Sequence, residues 1–214
     1  RMSLSDLSAV VLLAAREFTP LNELAEYGGT PSGGLVEEFE AWGLRQKVRW
    51  GMLARYLYPD DHEVLLLVEG EEGVYRGKRG KEAREGGGEG GAAGLLGMVE
   101  LSLQPTTGLP PPLFPLSPAV KGLFALLGWP LQPYISNLLV DVTVRRQGHA
   151  ARLLAVAEAE ARARGHSWVY LHADSDYLPA VRLYERLGYR DVGRGRAWVD
   201  RWTGLRLRYM RKEL

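Results

Sequence analysis

The segment from Asn137 to Ala161 constrains the fold most, because it joins a buried strand to a helix through one glycine. Its first part is rich in Leu and Val, which is typical of a strand covered on both faces. After Gly148 it continues as an Ala/Leu/Glu/Arg segment with apolar residues at helical spacing. A strand that turns directly into a helix leaves the first N–H groups of the helix unpaired. Together with the helix dipole, these groups form an anion-binding site.

The turn itself has the residues that a phosphate-binding loop requires. Gly148 lets the backbone approach an anion without a Cβ in the way, and small Ala150 and Ala151 keep the first helical turn open. The spacing Arg-x-x-Gly-x-Ala, which starts at Arg145, resembles the acetyl-CoA pyrophosphate loop of the GNAT superfamily of N-acetyltransferases.

A second segment further along the chain strengthens this resemblance. The run from Ser167 to His172 predicts another strand, and the run from Pro179 to Tyr189 resembles the superfamily's A-x-x-L-Y-x-x-x-G-F element. The matching positions are Ala180, Leu183, Tyr184 and Gly188, with Tyr189 in place of the final Phe. The resemblance implies an α/β protein with the GNAT fold: a mixed central β-sheet with splayed central strands and helices on both faces.

Composition excludes several other classes of protein. The 27 basic and 26 acidic residues give a net charge of +1, which does not favour nucleic acid as a partner. The absence of cysteine excludes thiol nucleophiles and thiolate metal sites, and the four histidines lack ligand spacing, so we expect no metal. No apolar run reaches the ~18 residues that a membrane span requires.

The length of 214 residues suits a single acetyltransferase domain over residues 1–214 with two inserts. Residues 70–94 are dense in Gly and charge and predict a mobile hairpin excursion. Residues 104–132 form a Pro-rich insertion, in which a short helix from Pro118 to Leu127 capped by Ser117 is expected. Residues 8–16 predict a first strand, and residues 35–58 predict one long helix or two.

The resemblance implies how acetyl-CoA, the co-substrate, is bound. Pantetheine pairs with the exposed edge of the central strand, and an N–H near Leu139 or Val140 donates to the acetyl carbonyl. The amides from Gln147 to Ala151 bind the pyrophosphate, with added bonds from arginine side chains, although Arg146 also fits a solvated surface residue. The expected cofactor-binding residues are Leu139, Val140, Asp141, Val142, Arg145, Arg146, Gln147, Gly148, His149, Ala150, Ala151, Tyr177, Ala180 and Tyr184.

The resemblance also implies three catalytic candidates, and Glu100, in the strand before the Pro-rich insertion, is a fourth. Tyr184 stands where the superfamily has its general acid, and a phenol of pKa ~10 can protonate a thiolate of ~8.5; the alternative is a buried aromatic with a satisfied hydroxyl. Tyr134 and His172 resemble a pair in protein N-α-acetyltransferases that orders a water to deprotonate the amine. A core histidine is the alternative for His172, whose ordinary pKa of ~6.5 suits an α-ammonium better than a lysine. Glu100 is the alternative base, although strand alternation predicts that it faces solvent.

The implied activity is acetyl transfer to protein amines, N-terminal α-amines first and lysine ε-amines second, by direct attack in a ternary complex. Residues 134–137 with 145–148 resemble plastid GNATs of plants and algae. This predicts the chloroplast stroma, with a targeting segment removed, or otherwise the cytoplasm. The ribosome or a nascent chain is a candidate partner. The alternatives are a GNAT for small amines and a non-catalytic acetyl-CoA-binding module. Tyr177 in place of the usual Asn leaves the second of these open. No Pro lies near Val142, which leaves a strand bulge there undecided.

Overall fold

The computed structural model describes residues 6–7, 9–11, 13–14, 62–68, 74–76, 94–109, 117–194 and 206–214. A first helix, α1, includes residues 6–7, 9–11 and 13–14. The strands are β1 (His62–Val68), β2 (Val74–Arg76), β3 (Leu95–Pro105), β4 (Leu131–Val140), β5 (Trp168–Asp174), β6 (Arg190–Arg194) and β7 (Leu207–Glu213). The other helices are α2 (Pro118–Leu126), the 3₁₀ turn η1 (Val142–Val144), α3 (His149–Ala163) and α4 (Leu178–Arg186).

The strands form one mixed sheet in the order β2-β1-β3-β4-β5-β7-β6. The central pair, β4 and β5, is parallel and is joined only at Tyr134 with Tyr170 and Ile135 with Leu171. β5 continues alongside β7 as far as Asp174. β4 and β5 therefore separate after their two paired positions, and the expected splay of the central strands is confirmed.

Helices cover both faces of the sheet, as expected. The apolar side chains of α3 and α4 pack on one face, against the odd-numbered core residues of β1 and β3; this cluster includes Leu65, Leu67, Val99, Leu101, Leu153, Leu154 and Val181. α1 packs on the other face, in a cluster that includes Val10, Leu13, Val64, Leu66 and Met98. The period of two along each strand assigns alternate residues to the two layers.

The prediction of a first strand over residues 8–16 is wrong, because the described residues there are helical. Val10, Leu13 and Ala14 are buried and stand three and four positions apart, which places them on one face of a helix. A short apolar run cannot be assigned to a strand or a buried helix by its pattern alone. The need to cover the even-numbered face of β1 and β3 decides in favour of the helix.

The expected helix in the Pro-rich insertion is confirmed. α2 begins at Pro118, and the Ser117 hydroxyl accepts a hydrogen bond from the Val120 N–H at 3.4 Å. The predicted helical region over residues 35–58 lies outside the described residues. The same holds for most of the insert over residues 70–94, of which Val74–Arg76 pairs with β1 as an edge strand.

A bulge interrupts β4 at the point where it leaves β5. The pairing with β3 shifts between Met98 opposite Leu139 and Glu100 opposite Ser136, so two residues of β4 oppose one of β3. Asn137, one of the two, has a left-handed φ of 49°. The bulge therefore forms without a proline near Val142.

Candidate active site

Beyond the bulge, one edge of β4 pairs with β3, and the other edge faces the gap where β4 and β5 separate, which we call the splay. The Asp141 N–H donates to the Leu96 carbonyl of β3 at 2.8 Å. The Leu139 carbonyl also faces β3, so closely that a Cβ at Gly97 would lie 2.7 Å from its oxygen. Because backbone groups alternate in direction along a strand, the N–H of Val140 faces the splay and that of Leu139 faces β3. Of the two predicted donors to an acetyl carbonyl, this geometry favours Val140 and does not support Leu139.

The turn after β4 is held by its own side chains. The Asp141 carboxylate caps η1 and accepts from the Thr143 N–H at 2.9 Å and its hydroxyl at 2.6 Å. Arg145 Nε donates to the Val140 carbonyl at 3.2 Å, which fixes this arginine beside the splay. Arg146 is exposed and has a left-handed φ of 67°.

The N-terminus of α3 has the features that an anionic ligand requires. Gly148 precedes the helix with a left-handed φ of 87°, provides no side-chain cap, and has open space where a Cβ would stand. The first turn has no acidic residue, so no carboxylate of that turn neutralises the positive end of the helix dipole. His149 Nδ1 is buried without a hydrogen-bond partner among the described residues. These residues fit the diphosphate of coenzyme A.

Tyr134 and His172 meet across the paired part of β4 and β5. The Tyr134 hydroxyl lies 2.7 Å from His172 Nδ1, and His172 Nε2 lies 3.2 Å from the carbonyl oxygen of Gly108. A carbonyl oxygen only accepts hydrogen bonds, so Nε2 carries the proton. Nδ1 is then the acceptor, and the Tyr134 hydroxyl donates to it.

Burial sets the protonation of this pair. It lowers the pKa of His172 to about 4, against the opposing effect of the Gly108 hydrogen bond, so the imidazole is neutral near pH 7. Burial raises the pKa of Tyr134 well above its ordinary value, and the bond to His172 only partly offsets this rise. The expectation of an ordinary histidine pKa is therefore wrong.

Glu100 is buried, contrary to the prediction that it faces solvent. Its exposed fraction is 1%, because both faces of β3 are covered over nearly the whole strand. Asn137 Nδ2 donates to Glu100 Oε2 at 2.7 Å. Glu100 pairs with Ser136 of β4, two positions from Tyr134, and its negative charge is among the smaller effects that raise the pKa of Tyr134.

Tyr184 lies on α4, which packs against the face of the sheet opposite to Tyr134 and His172. Its side chain is 8% exposed, and its ring meets that of Tyr189 edge-on at 5.7 Å between centroids. Burial, with a smaller effect of neighbouring Tyr177, raises the pKa of Tyr184 to about 12. Tyr184 in turn acts on the pKa of Tyr134. Tyr177 is exposed at the start of α4, and Ala180 packs partly buried against the core.

Several residues of this site were not predicted. Tyr209 of β7 stacks on His172 at 4.8 Å between ring centroids, and Tyr170 stacks on Tyr209 at 5.4 Å. Tyr170 stands two positions before His172, so the period of a strand could have placed it on the same face. Neither Gly108 nor Asn137 has a sequence pattern that links it to a histidine or a carboxylate far along the chain.

Metal ligation and membrane crossing are two further possibilities for the described part of the chain. No group of three or more potential ligands there could hold a metal ion. Among the same residues, no helix is both long and apolar enough to cross a membrane.

Comparison with known proteins agrees with this geometry. Residues 86–189 match the acetyltransferase (GNAT) family. The matched segment is just under half of the chain. It contains the bulged β4, the turn with Gly148, the His172 strand and the Tyr184 helix, that is, both segments on which the resemblance was based.

Two relatives match the chain over a short segment. An acetyltransferase of Agrobacterium fabrum is 43% identical over 60 residues, which is 28% of this chain and 42% of the relative. The chloroplastic GCN5-related N-acetyltransferase 6 of Arabidopsis thaliana is 38% identical over 63 residues, 29% of this chain and 22% of the relative. The chain therefore matches less than half the length of these relatives.

Solved GNAT structures share the fold over almost the whole chain. The PaiA N-acetyltransferase of Thermoplasma acidophilum, in complex with coenzyme A, superposes with a TM-score of 0.57 at 15% identity, covering 100% of this chain and 96% of that one. Arabidopsis thaliana NAA60, in complex with a bisubstrate analogue, gives 0.51 at 20% identity, with the same coverage of both chains. The expected GNAT fold is confirmed.

Proposed function

We propose that this protein is an acetyl-CoA-dependent N-acetyltransferase for protein amines, acting on N-terminal α-amines first and on lysine ε-amines second. The observation that carries the proposal is the hydrogen-bonded pair of Tyr134 and His172 beside the splay of β4 and β5. The uncapped N-terminus of α3 follows the same strand, with only η1 and a short turn between them. The GNAT family match of residues 86–189 supports the reaction type.

Acetyl-CoA would supply an acetyl group activated as a thioester. The amides of the first turn of α3 hold its diphosphate, and exposed Arg146 adds positive charge at the rim. The free edge of β4 aligns the pantetheine, and the Val140 N–H donates to the carbonyl oxygen of the thioester. A donor that is already directed at such an oxygen contributes about 3 kcal/mol to the lowering of the barrier.

Tyr134 and His172 remove the proton of the attacking amine. The Tyr134 hydroxyl oxygen accepts that proton, directly or through one water, while its own proton passes to His172 Nδ1. An imidazole with a pKa of about 4 is a weak base toward a free ammonium ion. The transfer therefore accompanies bond formation, when the nitrogen becomes far more acidic.

The weakness of this base favours acceptors that are already partly neutral. An α-ammonium has a pKa of about 8 and a lysine about 10.4, so the neutral fraction of an α-amine near pH 7 is roughly 250 times larger. This difference supports α-amines as the first substrates and lysines as the second.

Tyr184 completes the reaction as general acid. Because its pKa is about 12, the phenol keeps its proton throughout the physiological range. It is a weaker acid than an ordinary tyrosine, so it donates this proton only as negative charge develops on the departing thiolate. The chain has no cysteine to carry the acetyl group, so the amine attacks the thioester directly in a ternary complex.

Acetylation of a peptide library, read by mass spectrometry, tests the proposal. Peptides with free and with blocked N-termini, each with and without lysine, separate α-amine from ε-amine products. We expect most of the product on free α-amines. Transfer to polyamines or arylalkylamines alone would instead identify a small-molecule enzyme. Calorimetric binding of coenzyme A without transfer to any amine would indicate a non-catalytic module.

The proposed location is the chloroplast stroma, where a ribosome-bound nascent chain would provide free N-termini. The support is the 38% identity with a chloroplastic enzyme of Arabidopsis thaliana over 29% of this chain. Fractionation of the source cells, with an antibody against the protein, tests this location. Recovery in the cytosolic fraction alone would contradict it.

A further inference from the structure

We infer that the backbone carbonyl of Gly108 is a positioning group for the proton-transfer pair: it selects the His172 tautomer that accepts the proton of Tyr134. The inference rests on the proposed function, because it concerns how the amine is deprotonated. It also assigns a role to the Pro-rich insertion over residues 104–132, which contains Gly108 and which the proposed chemistry otherwise leaves unexplained.

The geometry selects one of the two neutral tautomers. With the proton on Nε2, His172 donates to the Gly108 oxygen at 3.2 Å and accepts from the Tyr134 hydroxyl at 2.7 Å. With the proton on Nδ1, the lone pair of Nε2 would face the lone pairs of a carbonyl oxygen, and two partly buried acceptors would lie in contact without a proton between them. Only the first tautomer leaves Nδ1 free to take the proton of Tyr134.

The same carbonyl also assists the transfer itself. When the Tyr134 O–H bond breaks and an N–H bond forms at Nδ1, the imidazole becomes a cation that carries protons on both nitrogens. The proton on Nε2 then makes a charge-assisted bond to the Gly108 oxygen, which is stronger than the neutral bond it replaces. The oxygen of Tyr134 receives the amine proton, so the phenol is restored and His172 holds the one proton removed.

The bend that presents this carbonyl is held from several sides. The Thr106 N–H donates to the Pro130 carbonyl at 3.3 Å, and the Thr107 N–H donates to the Pro105 carbonyl at 2.8 Å. The Thr107 hydroxyl accepts from the Leu109 N–H at 3.2 Å. Gly108 lies at the tip with a left-handed φ of 71°, a conformation that glycine adopts without strain.

Two substitutions at this position separate conformation from size. A Cβ at Gly108 would lie 3.8 Å from Tyr209 Cδ1, which is an ordinary van der Waals contact, so a Cβ fits there without displacing the tyrosine. Asparagine tolerates a left-handed backbone and valine does not. Gly108→Asn should therefore keep the carbonyl in place, and Gly108→Val should move it. Gly128→Val is the matched control, because Gly128 has a φ of 80° in the same insertion with open space around it.

Nitrogen NMR of the imidazole rings gives the direct test. The chain has four histidines, and the spectrum of His172→Gln assigns the signals of His172. At pH 7 we expect the wild-type proton on Nε2, and a mixture of tautomers in Gly108→Val only. The kcat for a peptide α-amine should fall about tenfold to a hundredfold in Gly108→Val and less than about threefold in the other two variants, at an unchanged KM for acetyl-CoA.

Each outcome decides one of the two claims. A wild-type proton on Nδ1, or a Gly108→Val enzyme with wild-type tautomer and kcat, would overturn the role of the carbonyl while leaving the proposed function intact. An absence of transfer to any amine by the wild type would overturn the proposed function, and the NMR result would still decide the tautomer. If Gly108→Val does not fold, the wild-type tautomer remains the deciding measurement.

Discussion

Introducing a negative charge at Gly148 tests the anion site at the start of α3. Aspartate and asparagine have nearly the same size, and both tolerate the left-handed φ of 87° better than other side chains do. Nothing lies within 4 Å of the position that a Cβ would take, so both residues fit without displacing a neighbour. Comparison of Gly148→Asp with Gly148→Asn therefore isolates one charge.

The size of the effect follows from Coulomb's law. At a separation of about 6 Å and an effective dielectric constant of about 40, two unit charges repel by about 1.4 kcal/mol. The diphosphate carries roughly two negative charges, so the repulsion is about 3 kcal/mol and the affinity for coenzyme A falls about a hundredfold. Raising the ionic strength should recover part of this loss, because salt screens exposed charges.

Isothermal titration calorimetry with coenzyme A measures the difference directly. Thermal unfolding of the two variants controls for damage to the fold, and we expect their midpoints to agree closely. Equal affinities of the aspartate and asparagine variants for coenzyme A would refute the placement of the diphosphate at this helix.

Tyr184→Phe should lower kcat about a hundredfold at unchanged affinity for coenzyme A, because the ring is kept and only the proton donor is lost; wild-type turnover in a steady-state assay would remove the general-acid role. His172 has a pKa of about 4 in the folded state and about 6.5 when unfolded, so the unfolded chain binds an extra proton between these values. The free energy of unfolding should therefore fall by up to about 3 kcal/mol as the pH drops from 6.5 to 4, and His172→Gln should reduce this dependence in urea titrations; identical slopes would contradict the burial of a neutral imidazole. Glu158 accepts from the buried Tyr189 hydroxyl at 3.0 Å and from Lys212 Nζ at 2.5 Å. Glu158→Ala leaves both donors without this acceptor and should lower the free energy of unfolding by about 3 kcal/mol, against about 1 kcal/mol for Tyr189→Phe. Equal losses of unfolding free energy in the two variants would show that Lys212 does not depend on the carboxylate.

Elements with a local signal were predicted from the sequence. The strand, turn and helix around Gly148 follow from apolar runs and helical spacing that need no distant partner. The start of α2 is likewise fixed by Ser117 and Pro118, which act on the first turn of their own helix. α1 was predicted as a strand because its short apolar run satisfies either period, and only the face of β1 and β3 that it covers decides between them.

The candidate site was predicted in part. Tyr134 and His172 were chosen by resemblance, but their contact depends on the short parallel pairing of β4 with β5. Glu100 was expected to face solvent because alternation along one strand does not reveal whether its second face is covered. The choice of Val140 over Leu139 likewise depends on which neighbour each residue faces in the assembled sheet.

The sequence by itself predicted the candidate anion site, since the residues that form the turn before α3 are neighbours along the chain. The tertiary structure decided the proton chemistry. The tautomer of His172 is set by Gly108, which is 64 residues away, and its lowered pKa is set by burial in the assembled protein. Burial and the direction of a distant carbonyl exist only after the strands have come together, and no local pattern of residues encodes them.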